Sequence, residues 1–213
     1  MDFLPEELLR YTERHTSPES GHLARINRDT HAHVLKPRML SGHLQGRVLA
    51  MISHMVRPNR ILEIGTYTGY SAICLSEGLQ PNGSLITIDC NEELAARVRK
   101  NFTEAGVDHK IDYRIGNALE ILPAIEEPLD LVFIDADKAN YANYFDLVID
   151  KVRDNGFILA DNVLWSGKVI DGSNDKDTRA ILEFNAKVHT DKRVENVLLP
   201  IRDGIMMLRK VSL

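Results

Sequence analysis

The spacing of apolar residues along the chain changes near residue 60. Before that point apolar residues recur at helical intervals. Pro5 suits the first turn of one helix, a second helix is expected to start near Pro18, and a third at about Ser41. The pattern therefore predicts a helical N-terminal extension over about residues 1–57.

After residue 60, short apolar runs alternate with segments of helical length. The best-marked helix has Asn91 as its N-cap and ends at Gly106. Because the runs are apolar throughout, they predict strands of a parallel sheet that is covered on both faces. The fold class is therefore α/β, Rossmann-like and doubly wound, in a single domain over residues 1–213. The predicted strands are Arg60–Ile64, Ser84–Ile88, Ile111–Ile115, Leu129–Ile134 and Phe157–Ala160.

The end of the chain follows a different pattern. Two apolar runs, Val194–Leu199 and Ile205–Val211, are separated by only five residues. A parallel crossover needs a dozen or more residues, so these two strands should pair antiparallel.

Composition places the chain among ordinary globular proteins, with 44% hydrophobic and 27% charged residues. No apolar run approaches the roughly 20 residues of a membrane-spanning helix, and the N-terminus is acidic where a secretory signal would be basic. Cys74 and Cys90 are isolated and predict buried thiols in a reducing compartment. We therefore expect a cytoplasmic protein without a membrane partner.

Charge argues against a nucleic-acid partner, because the net charge is −5 and phosphate contacts require clustered Lys and Arg. The distribution is uneven, however. Residues 1–60 carry 9 Lys and Arg against 6 Asp and Glu, while the rest of the chain is net acidic. Binding of a phosphate-bearing substrate near the N-terminal segment therefore stays an open alternative.

Candidate cofactor residues follow the first two predicted strands. Gly65 and Gly69 are spaced G-x-x-x-G, whereas a dinucleotide site requires G-x-G-x-x-G, so NAD is disfavoured. Glu63 could receive a cationic group, and Asp89, which ends the second strand, could accept both hydroxyls of a ribose. An adenosine with a cationic amino-acid tail describes S-adenosylmethionine. The alternative is that these residues bind no such ligand, because glycine and acid at strand ends are common in α/β proteins.

Candidate metal ligands follow the fourth and fifth strands. Asp135, Asp161 and Asn162 offer three hard oxygen ligands at the same edge of the sheet. Oxygen ligands with open positions suit Mg²⁺ best, then Mn²⁺ or Ca²⁺, whereas zinc would require His or Cys. The alternative is that these residues cap the helices that follow them.

From about residue 39 to its end the chain resembles the cation-dependent O-methyltransferases of the caffeoyl-CoA O-methyltransferase family, which is related to catechol O-methyltransferase. The resemblance rests on five stretches of the sequence: Leu62–Ser71, Ala105–Ile111, Phe133–Tyr141, Asp161–Trp165 and Leu199–Gly204.

The resemblance implies a class I methyltransferase fold, seven-stranded and mostly parallel with an antiparallel C-terminal strand, in a homodimer. It implies Asp135, Asp161 and Asn162 as metal ligands and Lys138 as the base, so that Lys138 and Asp135 are the catalytic pair. Met39 and Trp165 correspond to acceptor contacts. The implied cofactor-binding residues are Ser41, Glu63, Gly65, Thr66, Ser71, Asp89, Ala118 and Asp137.

The sequence departs from the plant members of the family at the acceptor side. Gln45 stands where they carry an acid, and Ser166 replaces an asparagine after the tryptophan. The loop Val169–Asp177 is short beside the plant insertion. These differences favour a free phenol, caffeate-like, over a caffeoyl-CoA-like thioester.

The leading hypothesis is therefore a metal-dependent O-methyltransferase that acts on a catechol-type small molecule. Two alternatives stay open: a methyltransferase that modifies a hydroxyl of transfer RNA, and a non-catalytic binding module on the same fold. For Lys138 itself, the alternative to a base is a solvated residue at a helix start.

Overall fold

The computed structural model describes residues 5–126 and 128–212, and its central feature is a seven-stranded sheet in the order β3-β2-β1-β4-β5-β7-β6. The strands are β1 Arg60–Ile64, β2 Ser84–Asp89, β3 Ile111–Ile115, β4 Leu129–Ile134, β5 Val152–Asp161, β6 Val194–Leu199 and β7 Ile205–Lys210. The α-helices are α1 Glu6–Arg14, α2 Gly21–His33, α3 Gly42–Val56, α4 Tyr70–Ser76, α5 Ala95–Ala105, α6 Ala118–Ile121, α7 Tyr141–Ile149 and α8 Lys176–Thr190.

The topology confirms the predicted α/β fold. Strands β1 to β5 pair in parallel, with β1 between β2 and β4, whereas β7 pairs antiparallel with both β5 and β6. The strand order reverses at β1, where the chain first runs outward to β2 and β3 and later to β4 and β5. Ligands of such sheets bind at this reversal, beyond the carboxyl ends of the strands.

Helices cover both faces of the sheet, so alternate residues of one strand enter different cores. In β4, Val132 belongs to the core beneath α6, α7 and α8, and Phe133 to the core beneath α2 to α5. This two-sided burial explains why the central strands are apolar almost throughout.

The N-terminal helices α1, α2 and α3 lie within the predicted extension, whose first four residues are outside the described part of the chain. Helix α2 begins at Gly21 rather than near Pro18, because the Ser20 hydroxyl accepts a hydrogen bond from the Leu23 amide. The buried Thr30 hydroxyl of α2 donates to the Thr68 hydroxyl. The extension is thereby joined to the loop that follows β1.

Three further sequence-based expectations were wrong in detail. Strand β5 begins at Val152 rather than Phe157, because the polar residues Arg153 to Asn155 continue the strand at an exposed end. Strand β3 lies at the edge of the sheet and alternates, with Tyr113 as its one buried residue. Cys74 is buried as predicted, but Cys90 is exposed, because it lies just past the end of β2.

No helix among residues 5–126 and 128–212 is both long enough and apolar enough to span a membrane.

Candidate active site

The candidate site lies at the carboxyl ends of β1, β2, β4 and β5. The Gly65 amide donates to the Ile88 carbonyl, and the Asp135 amide donates to the Ile64 carbonyl. Gly65 has a φ of +104°, and an added Cβ would lie 2.0 Å from the Asp135 carbonyl oxygen. Only glycine can therefore occupy this position, where the loops after β1 and β4 touch.

Glu63 is the buried acid of β1. Its Oε2 accepts a hydrogen bond of 2.5 Å from the Thr87 hydroxyl, whereas its buried Oε1 has no hydrogen-bond partner. Burial raises the pKa of Glu63 to about 8, although the Ser71 and Thr87 hydroxyls favour the charged form. A buried carboxylate oxygen without a partner is costly, so this position suits a cationic ligand group.

Asp89 ends β2 beside the glycine loop. Its Oδ2 accepts from the Tyr67 amide at 2.7 Å and its Oδ1 from the Asn91 amide at 2.9 Å. Each carboxylate oxygen can accept a further hydrogen bond. The carboxylate is therefore oriented by the backbone and keeps acceptor capacity for hydroxyl groups.

Lys138 lies almost buried after β4, with its ammonium between two oxygens. Nζ is 3.2 Å from Asp135 Oδ1 and 2.6 Å from the Tyr141 hydroxyl, and 5.9 Å from the centre of the Trp165 ring. Burial and the nearby carboxylates of Asp135 and Asp161 raise the pKa of Tyr141 well above its ordinary value. Tyr141 therefore stays a neutral hydroxyl, which donates to the Asp161 carbonyl at 3.0 Å.

Asp161 is the buried carboxylate at the end of β5. Its Oδ1 accepts from the Asn162 amide at 2.7 Å, and its Oδ2 accepts from Gln45 Nε2 at 2.6 Å. Burial, followed by the negative charge of Asp135, raises the pKa of Asp161 to about 6. The two acids are therefore close enough to repel each other.

The predicted metal ligands fit a divalent cation by their chemistry. Two repelling carboxylates and an amide oxygen form a hard donor set, and a cation would relieve the repulsion. Within the described residues, no group of three His, Cys, Asp or Glu side chains is placed to hold a metal ion. The predicted set contains two such residues and Asn162.

The remaining predicted residues are distributed around this edge. Thr66 and Ser71 lie in or just after the glycine loop, whereas the other three lie before α3, at the start of α6 and after β4. All but Asp137 are buried: Ser41, Thr66, Ser71, Ala118 and Asp137. The Asp137 carboxylate accepts hydrogen bonds from Tyr144 and Asn140. On the acceptor side, Met39 is 53% exposed, and the Trp165 indole Nε1 is buried without a partner.

Sequence reasoning assigned no role to four residues that the structure brings into the site: Thr87, Tyr141, Gln45 and Arg202. Thr87 had a detectable signal, because it is a polar residue in the middle of the apolar strand β2. Gln45 was noted as a departure from the plant enzymes. Its contact with Asp161 spans 116 residues of sequence and had no local signal.

The doubly wound sheet, the glycine turn and the acids at the strand ends together define a class I methyltransferase fold. The chain belongs to the O-methyltransferase family, whose model matches residues 13–211.

Individual relatives agree with that assignment. The caffeoyl-CoA O-methyltransferase of Medicago sativa is 36% identical, over 79% of this chain and 73% of that protein. An O-methyltransferase from Bacillus cereus, solved in complex with SAH, has a TM-score of 0.88 at 32% identity and covers 96% of this chain and 97% of its own. The SAH-bound methyltransferase PaMTH1 of Podospora anserina has a TM-score of 0.90 at 29% identity and full coverage of both chains.

Proposed function

We propose that this O-methyltransferase transfers the methyl group of S-adenosylmethionine to a hydroxyl of a catechol-type small molecule, with a divalent cation. The observation that carries the proposal is the cluster at the ends of β4 and β5. There the side-chain nitrogen of Lys138 meets the two acids Asp135 and Asp161 and the ring of Trp165, all at the carboxyl ends of the strands. This cluster combines a proton acceptor, hard oxygen ligands and an aromatic surface.

The cofactor half of the proposal rests on Glu63 and Asp89. The unpartnered Oε1 of Glu63 would receive the ammonium of the methionine moiety, and the oriented Asp89 carboxylate would accept the ribose hydroxyls. The named relatives from Bacillus cereus and Podospora anserina bind SAH, which is the demethylated product of the same cofactor. Their structures support S-adenosylmethionine here.

The acceptor half of the proposal concerns a phenol, whose hydroxyl is mostly protonated at pH 7 and a weak nucleophile. When bound by Asp135, Asp161 and Asn162, a divalent cation would supply Lewis-acid stabilisation of the phenolate. It would favour an acceptor with two adjacent hydroxyl groups over an acceptor with one. The ring of Trp165 would pack against the acceptor. Because acceptor and methyl donor would both bind at the carboxyl ends of the strands, the entropic part of the activation barrier for methyl transfer would be lower.

Lys138 is the proposed proton acceptor. In its neutral form its Nζ can take the proton of a phenol, and the neutral Tyr141 hydroxyl keeps Nζ directed toward Asp135. The methyl group then passes in line from sulfur to oxygen, so no covalent bond to the protein is formed.

The test is methyl transfer from labelled S-adenosylmethionine to catechol, to phenol and to transfer RNA. We expect catechol to be methylated much faster than phenol, EDTA to abolish turnover and Mg²⁺ or Mn²⁺ to restore it, while calorimetric binding of SAH survives chelation. Full turnover in metal-free protein would overturn the cation. Equal rates on phenol would overturn the role of the second hydroxyl, and a preference for transfer RNA would overturn the acceptor class.

The homodimer and the cytoplasmic location stay predictions from the sequence.

A further inference from the structure

Gln45 connects a buried acid of the site to a partly buried arginine. The residue is fully buried in α3. Its Nε2 donates to Asp161 Oδ2 at 2.6 Å, and its Oε1 accepts from Arg202 Nη1 at 2.9 Å. The amide therefore bridges the N-terminal extension, the end of β5 and the turn between β6 and β7.

The orientation of this amide is determined by its partners. A guanidinium can only donate hydrogen bonds, and an ionised carboxylate can only accept them. The oxygen of Gln45 must therefore face Arg202, and its nitrogen must face Asp161. The reverse orientation would place donor against donor and acceptor against acceptor.

Arg202 is itself held in place by the backbone around it. It has a φ of +50° and also donates to the carbonyls of Leu40 and Ser41. The same turn is joined to the segment after β5, because the Leu164 amide donates to the Asp203 carbonyl at 2.9 Å. Gln45 thus receives its orientation from a residue that is itself hydrogen-bonded to the backbone.

We propose that Gln45 is a positioning residue, oriented by Arg202, that holds the Asp161 carboxylate in the geometry required for the divalent cation. The inference rests on the proposed function, since the cation is part of it. The Asn162 amide engages Oδ1 and Gln45 engages Oδ2, so the carboxylate cannot rotate. Each oxygen retains acceptor capacity.

An acid at position 45, as in the plant members of the family, could still pair with Arg202. It could not donate to Asp161, and it would add a negative charge beside a carboxylate that Asp135 already repels. The amide at this position therefore gives Asp161 a support that a carboxylate cannot give.

The test is Mn²⁺ binding, measured by the electron paramagnetic resonance signal of the free ion, together with SAH binding by calorimetry. Gln45→Met keeps the approximate volume and removes both hydrogen bonds. We expect its Kd for Mn²⁺ to rise by about 10–100-fold, the usual effect of losing a partner of a metal ligand, while its Kd for SAH changes less than threefold. Gln80→Met is the matched control, because the Gln80 amide donates to the Arg57 carbonyl at the amino ends of the strands, away from the site. This variant should bind Mn²⁺ as the wild type does.

Arg202→Met provides a second variant if Gln45→Met does not fold. It leaves Gln45 in place without its orienting donor, so it should also weaken Mn²⁺ binding. An unchanged Kd for Mn²⁺ in the folded variants would overturn the positioning role, and so would an equal loss of SAH affinity, which would indicate general damage to α3.

Failure of the proposed function has a different signature. If the wild type does not bind Mn²⁺, or if Asp135→Asn binds it equally well, the metal site itself is wrong whatever the Gln45 variants do.

Discussion

The carbonyl oxygen of Asp135 occupies the space that a side chain at Gly65 would need. The distance from a Cβ at position 65 to that oxygen would be 2.0 Å. Two loops that follow neighbouring strands, β1 and β4, are thereby brought into contact. Because Glu63 precedes one loop and Asp135 starts the other, this contact brings the proposed cofactor residues next to the proposed cation ligands.

Replacing Gly65 should therefore destabilise the protein. In Gly65→Ala the added methyl group meets backbone, which costs about 1–3 kcal/mol for overpacking, and the left-handed conformation costs about 1–2 kcal/mol more. Denaturant unfolding measures the loss. Gly172→Ala is the control, since Gly172 has a φ of +79° with no atom within 4 Å of an added Cβ, and it should pay only the conformational cost. Equal losses in the two variants would contradict the contact with Asp135.

Glu63 should make the stability of the ligand-free protein fall as pH rises. Its pKa is about 8 in the folded protein against an ordinary value of 4.5, so between these values the folded state binds more protons than the unfolded state. The stabilising contribution is complete below pH 4.5 and is lost as pH rises to 8. Compared with Glu63→Gln, the wild type should lose up to about 1.4 kcal/mol per pH unit in this window. Denaturant unfolding at pH 5 to 8 measures the free energy of unfolding of both proteins. If the two free energies change in parallel with pH, the raised pKa of Glu63 is refuted.

Asp89→Ala should weaken binding of S-adenosylmethionine by about 1.5–3 kcal/mol, the usual contribution of hydrogen bonds to a charged group. Calorimetric titration measures this change. Asp89 also accepts from the Tyr67 and Asn91 amides, so the melting temperature of the variant should be recorded as well. A folded variant with unchanged affinity would mean that the ribose lies elsewhere.

Lys138→Met should lower kcat by about 10²–10⁴-fold, the usual contribution of a general base, while the affinity for SAH is retained. The loss should shrink as pH rises, because the phenol then ionises without help. Lys168→Met is the control, since Lys168 forms an exposed ion pair with Asp175 and should not affect kcat. A pH-independent loss would indicate that Lys138 only supports the structure.

Free caffeate should be methylated with a kcat/KM at least equal to that of caffeoyl-CoA. The reason is the short segment after Trp165, which follows β5 and leads to α8 at Lys176 without the plant insertion. Initial rates on both compounds at equal cofactor concentration decide the matter. A strong preference for the thioester would overturn the inference drawn from the short segment.

The strands of the sheet and the acids at their ends could be predicted from the sequence. A strand covered on both faces requires a continuous apolar run, as in Leu129 to Ile134, and that requirement is local. Once the strands are parallel, their carboxyl ends share one edge, so Asp135, Asp161 and Asn162 had to be neighbours. The polar start of β5 and the exposed Cys90 were missed because their environment depends on how far the sheet extends.

The partners of each side chain were decided by the tertiary structure. Glu63 and Thr87 meet only because β1 and β2 pair with these two residues in register. Gln45 and Asp161 are 116 residues apart, and Gln45 and Arg202 are 157 apart, so neither pair leaves a pattern in the chain. The sequence by itself determines which segments must be buried and where the chemistry must gather, because hydrophobic periodicity is local. Which donor faces which acceptor depends on packing between distant segments, and only the folded structure decides it.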